Sequence, residues 1–247
     1  MRVPDPEFAD PRQAALYDFL DGERTDLDTY AAIAHEVVAR SVVDVGCGTG
    51  SLATGLAADG FSVVGVDPAV ASLDVARTKP NSELVSWVLG DATVVGGLGL
   101  AADLVVMTGN VAQVFVSDEE WSDTLDAVHG ILLPGGRFVF EVRRPEARAW
   151  AGWDVAPTSI DLPDGTTAIL TRVVTEVALP FVTFERSIAV GAVTLRSVST
   201  LRFRERGEIE RDLAAHGFVV EEVRDAPDRP GREHVFVARR TQADPGD

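Results

Sequence analysis

Three glycines and three aspartates carry the first chemical signal in this chain. Residues 41–50 read SVVDVGCGTG: strand-forming residues run into Asp44, and glycines then take every second position at Gly46, Gly48 and Gly50. Glycine after a strand lets the backbone approach a ligand closely and can turn N–H groups towards it, at a cost in conformational entropy. A tight turn with nothing bound would not need three of them. Asp67 ends the next strand-like run, VVGVDPA, 21 residues after Gly46. A carboxylate there can cap the helix that begins at Pro68. Asp91, in GDA, can serve as an ordinary polar strand end.

These side chains need a frame, and hydrophobic spacing supplies one. Apolar residues at three- and four-residue intervals predict helices over 11–20 and 26–39. The rhythm then changes. Strands are expected at 41–45, 61–67, 83–91, 102–109 and 137–142. Helices are expected at 49–59, closing at Gly60; at 68–79, with Pro68 in the first turn; and at 117–133, where Ser117 and Glu120 have capping-box spacing. Strands alternating with helices, and strands that are continuous apolar runs, predict a parallel sheet covered on both faces. Such a sheet binds ligands at the carboxyl ends of its strands, which is where the glycines fall. After Arg143 the pattern becomes β-rich. Three extended segments within 166–204 are separated only by ALP and GA, which suits an antiparallel meander. A helix over 206–216 ends at Gly217, and FVVEEVRD and EHVFVARR make a closing antiparallel pair. We therefore expect a main domain of 1–143 plus 205–240, a β-rich cap at 144–204 and a disordered tail at 241–247.

Two ligand classes compete for the glycine turn. A dinucleotide site asks for G-x-G-x-x-G, and counting from Gly46 the third glycine is replaced by Ser51. The spacing present, G-x-G-x-G preceded by Asp44, resembles motif I of the class I S-adenosylmethionine-dependent methyltransferases. Later landmarks resemble that family in the right order: Asp67 after the second strand, Asp91 after the third, ADLVVMTGNVAQVF along the fourth, and LLPGGRFVFE into the fifth. The resemblance spans about 11–143 and 206–240. It implies a doubly wound, Rossmann-like, mostly parallel seven-stranded sheet with an antiparallel last strand and a small antiparallel β insertion. It implies S-adenosylmethionine as cofactor and S-adenosylhomocysteine as product. Carried onto this sequence, it puts Tyr17, Asp44, Gly46, Cys47, Gly48, Asp67, Pro68, Asp91, Ala92, Thr108 and Gly109 around the cofactor, with the Asp67 carboxylate accepting from the two ribose hydroxyls and Asp91 from the exocyclic amine of the adenine. Tyr17, in the N-terminal LYDFL segment, would close over the cofactor, although a helix tyrosine half-buried against the sheet fits the same position. Asn110, Gln113, Arg143 and Trp150 are the candidates for acceptor contacts, although Arg143 also suits an ion-pair cluster and Trp150 the core of the insertion. None of His35, His129, His216 and His234 stands out as a base.

Composition narrows the function further. The 247 residues carry a formal net charge of −17, which disfavours nucleic acid and anionic membranes as partners. Apolar runs are broken well before the roughly 18 residues a span requires, and the acidic, Pro-rich start has no apolar signal core. We expect a cytoplasmic enzyme, allowing for a homodimer, that methylates a nitrogen or oxygen of a small molecule. Cys47 is the only cysteine, and no Cys/His cluster suggests a metal. The other readings are a nicotinamide-dependent oxidoreductase and a non-catalytic binder of the same cofactor.

Overall fold

The computed structural model describes residues 3–22 and 24–241. Its main sheet has seven strands: β1 (Ser41–Val45), β2 (Ser62–Asp67), β3 (Val85–Leu89), β4 (Ala102–Met107), β5 (Leu132–Arg143), β10 (Phe218–Asp225) and β11 (Glu233–Arg240). Their order is β10-β11-β5-β4-β1-β2-β3. Neighbours from β3 to β5 pair in parallel, and β11 runs antiparallel to both β5 and β10. The expected fold class holds. Apolar residues on both faces explain why: Val43, Val105, Phe138 and Phe140 pack to one side with Trp121 and Leu125. Val42, Leu104, Val106 and Val139 pack to the other with Tyr30, Ile33 and Leu56.

Helices α3 (Leu27–Glu36), α4 (Ser51–Ala58), α5 (Val70–Ala76), α7 (Asp118–Ile131) and α8 (Arg206–Ala215) cover these faces. Helix α7 starts on the capping box expected of Ser117 and Glu120. Helix α5 begins two residues later than expected, because Asp67 Oδ1 accepts the Ala69 N–H at 2.8 Å and holds Pro68 outside the helix. Two short helices carry too little periodicity to be read from sequence: α1 (Pro6–Ala9), just ahead of α2 (Pro11–Asp21), and α6 (Ala92–Gly96).

Residues 155–202 form a separate antiparallel sheet: β6 (Val155–Asp161), β7 (Thr167–Ala178), β8 (Phe181–Val190) and β9 (Val193–Arg202). Three of its strands match the expected meander. The fourth, β6, carries Pro157 and so reads as loop, yet it lies at the sheet edge, where a missing N–H is tolerated. The tail expected at 241–247 lies, beyond Thr241, outside the described residues.

Candidate active site

Strand order reverses at β1, which pairs with β2 on one side and β4 on the other. A crevice opens beyond the carboxyl ends of these strands, the position general for doubly wound sheets. The glycine turn forms its floor. Gly46 has φ +74°, and a Cβ there would stand 2.6 Å from the Val111 side chain, so only glycine lets the turn meet the loop after β4. Gly48 has φ +53° with nothing within 4 Å of its would-be Cβ, leaving that side clear for a ligand. The amides are less free than the sequence suggests. Gly46 and Cys47 donate to the Val66 carbonyl at 2.8 and 3.1 Å, and Gly48 donates to Asp67 Oδ2 at 2.8 Å. These glycines act by close approach, not by presenting unpaired N–H groups.

The carboxylates set the electrostatics. Asp44 is almost wholly buried, and its Oδ1 has no hydrogen-bond partner among the described residues. Burial, aided by the neighbouring Asp67, pushes its pKa up to about 7. Burial also raises Asp67, against the two N–H groups that its carboxylate accepts. Asp67 is not the N-cap of α5, which is Ala69, but it holds the turn ahead of that helix by accepting from the Ala69 N–H, and it lines the crevice. Asp91 caps α6, accepting from Thr93 N at 3.1 Å, and it too lines the wall. Burial pushes the Cys47 thiol well up, so it is no nucleophile.

All the residues expected around the cofactor line this one crevice, from Tyr17 through the glycine turn to Asp91, Ala92, Thr108 and Gly109. The four expected at the acceptor are not on its wall. Asn110 and Gln113 are buried behind the loop that follows β4. Asn110 donates to Glu233 Oε1 at 3.2 Å, and Gln113 Oε1 accepts from Arg143 Nη1 at 3.1 Å. Arg143 lies 3.7 Å from Glu233. Trp150 packs edge-on against Phe203 in the core of the second sheet. Sequence reasoning missed the apolar end of the crevice, built by Phe8, Val111, Val114 and Phe115. Glu141, at the exit of β5 beside Arg143, suits by its position either a substrate contact or an ion-pair cluster; it does not line the crevice, and its Oε1 accepts from the N–H groups of Gly109 and Asn110 at 2.7 and 3.1 Å while Oε2 accepts from the Tyr30 hydroxyl. That carboxylate fixes two successive left-handed residues, Gly109 and Asn110. Among the described residues no histidine lines the crevice.

Comparison with known proteins fits this geometry. Residues 42–136 match the family model described as a methyltransferase domain. Within those residues the chain is similar to a methyltransferase domain. A chain of Geobacillus sp. (strain WCH70) named as a methyltransferase is 30% identical over 105 residues, 42% of each chain, so the match spans well under half of that relative. Two solved structures share the fold. The CcbJ methyltransferase of Streptomyces caelestis is 24% identical, with TM-score 0.79 and coverage of 95% of this chain and 98% of that one. DesVI of Streptomyces venezuelae is 22% identical, with TM-score 0.73 and coverage of 98% and 100%. The residues lining the crevice suit S-adenosylmethionine. That molecule carries an ammonium and a sulfonium, and the crevice offers a buried carboxylate whose Oδ1 has no partner among the described residues, a second carboxylate beside it, and a turn that Cβ atoms would obstruct.

Proposed function

We propose that this chain transfers the methyl group of S-adenosylmethionine to a nitrogen or oxygen of a small-molecule acceptor. The observation that carries the reading is the convergence of the glycine turn, Asp44, Asp67 and Asp91 on one crevice at the strand-order reversal. Asp44 would take the cationic amino-acid end, Asp67 the ribose hydroxyls and Asp91 the adenine amine. Tyr17 and Phe8, whose rings stand 5.5 Å apart, would close the wall above. Bound, the cofactor supplies an activated methyl group on sulfur. The protein's own contribution is to align the acceptor and to exclude water, which Phe8, Val111, Val114 and Phe115 do at the apolar end. The lining residues offer no histidine to act as a base, in keeping with catalysis by positioning.

Two solved relatives of this fold are described as acting on sugars: CalS10 of Micromonospora echinaspora, an amino pentose methyltransferase, and KedS8 of Streptoalloteichus, a sugar N-methyltransferase. They favour an amine-bearing small molecule as acceptor. Among the described residues no helix is long and apolar enough to cross a membrane. With the acidic charge, this supports a cytoplasmic enzyme that does not act on nucleic acid. Calorimetry with S-adenosylmethionine, followed by a methyl-transfer screen of amine and hydroxyl acceptors, tests the proposal. Asp67→Ala should weaken cofactor binding by about 1–3 kcal/mol. Binding of a nicotinamide dinucleotide in place of S-adenosylmethionine would overturn it.

A further inference from the structure

One row of side chains in the second sheet is poorly matched in charge. Strand pairing sets Arg172 of β7 directly opposite Arg186 of β8, and Arg186 opposite Ser197 of β9. The rows two residues to either side are Val174, Phe184 and Ser199, then Leu170, Ile188 and Leu195. Ser197, Ser199, Ile188 and Leu195 are buried, so this is the inner face of the sheet. Like charges directly opposite on paired strands repel.

Glu7 of α1 answers only part of that charge. Its Oε2 accepts from Arg186 at 3.1 Å, its Oε1 accepts from Ser199 Oγ at 3.3 Å, and its N–H donates to Ser197 Oγ at 3.2 Å. Among the described residues Arg172 has no carboxylate within ion-pair distance. Its Nε donates to the Trp153 carbonyl at 2.5 Å. Asp154 acts on it only through space, its Oδ1 being occupied by the Val174 N–H at 2.7 Å. Burial, then Arg186, lower the Arg172 pKa, as befits an under-compensated cation.

The same row reaches the crevice wall through α1: Arg186, opposite Arg172, pairs with Glu7, and the next residue, Phe8, lines the crevice. The Trp153 ring has Arg172 at 6.0 Å and Arg143 at 5.3 Å from its centroid. A half-buried cation lacking a counter-charge is costly to keep, whereas a guanidinium fork beside an indole suits a planar anion. We propose that Arg172, with Trp153, receives an anionic group of the acceptor, a carboxylate or a phosphate, and so selects an acidic small molecule. This rests on the methyl-transfer reading and narrows its substrate class.

The test uses the full chain and intrinsic tryptophan fluorescence. Sodium acetate and sodium phosphate are titrated separately at fixed ionic strength, with and without S-adenosylhomocysteine. At least one anion should saturate. Arg172→Gln should weaken it about tenfold or more, as expected for losing a charge-assisted bidentate contact. Glu7→Gln, which removes the competing carboxylate, should tighten it severalfold. Arg196→Gln, which takes away an exposed partner of Glu185, should leave it unchanged. If Arg172→Gln does not fold, Arg172→Lys keeps the charge, loses the fork and must still bind more weakly. Absence of saturation with either anion, or equal affinity in the Arg172 variant and the wild type, overturns the proposal. Methyl transfer at equal rates to an amine and its carboxylate-bearing analogue overturns it while leaving the methyltransferase reading intact. Arg172-dependent anion binding without any S-adenosylmethionine binding overturns that reading and leaves the anion site.

Discussion

At the scale of single residues, Asp44 has the most to reveal. Its pKa of about 7 lies above the 3.8 of an ordinary aspartate, so between those values the folded chain holds a proton that the unfolded chain has lost. Stability therefore falls as pH rises through this window, and the buried charge is fully unfavourable above it. A cation bound beside Asp44 reverses the preference and expels the proton. Affinity for S-adenosylmethionine is then expected to rise by up to about tenfold per pH unit below pH 7 and to level off above it. Asp44→Asn should flatten that profile and make the ligand-free protein more stable at pH 8. Calorimetry in two buffers of different ionisation heat, from pH 5.5 to 8, reads the released proton directly. A wild-type affinity that ignores pH would remove Asp44 from contact with the cation. This aspartate stands out in the sequence because it precedes the glycines. Its missing partner does not, since that depends on how β1, β2 and β4 enclose it.

At the scale of elements, the glycine turn separates packing from ligand approach. Gly46→Ala forces an L-residue into left-handed backbone, at roughly 1–2 kcal/mol, and drives its Cβ into Val111, about 1–3 kcal/mol more. Gly48→Ala meets only the first cost, because nothing stands within 4 Å of its Cβ. In urea unfolding the first variant should therefore lose clearly more stability than the second. Cofactor affinity should drop in Gly48→Ala, where the new methyl group intrudes on the open side of the turn. Equal losses of stability would show that Val111 does not press on the turn. The elements around this turn were legible because strand and helix periods alternate cleanly from Ser41 onwards and ligand sites follow strand ends. The acceptor end was not. Asn110 and Gln113 follow the right strand, but Asn110 adopts φ +62°, and Glu141, Gln113 and Glu233 draw the segment inward through partners up to 123 residues away. No local pattern encodes those bonds. Nor does one encode α1, where Phe8 sits on a four-residue helix, or β6, where Pro157 hides an edge strand.

At the scale of the molecule, the N-terminal segment ties the two sheets together across the crevice. Helix α1 is fixed to the second sheet through Glu7, and Ser72 Oγ on α5 donates to the Phe8 carbonyl at 3.2 Å. Helix α2 is fixed to the glycine turn through Asp18, one residue beyond Tyr17. Thr49 donates to Asp18, and Lys79 pairs with Asp18 at 2.7 Å while donating to Ser51 Oγ at 2.7 Å and Thr49 Oγ1 at 3.3 Å. Lys79 is the only lysine in a chain that otherwise uses arginine. A compact ammonium can divide its three protons among three converging oxygens, and a planar guanidinium cannot. Lys79→Arg should therefore loosen the strap while keeping the charge. Because the pair is partly exposed, global stability should change by less than about 1 kcal/mol. With Tyr17 and Phe8 closing over the cofactor as proposed, its release should quicken by about three- to tenfold, the worth of one ordinary hydrogen bond. Stopped-flow displacement of bound S-adenosylhomocysteine, read beside a urea titration of the same variant, separates the two effects. An unchanged release rate would mean that ligand leaves by a path the N-terminal segment does not cover, and that the Asp18–Lys79 pair serves α2 packing alone.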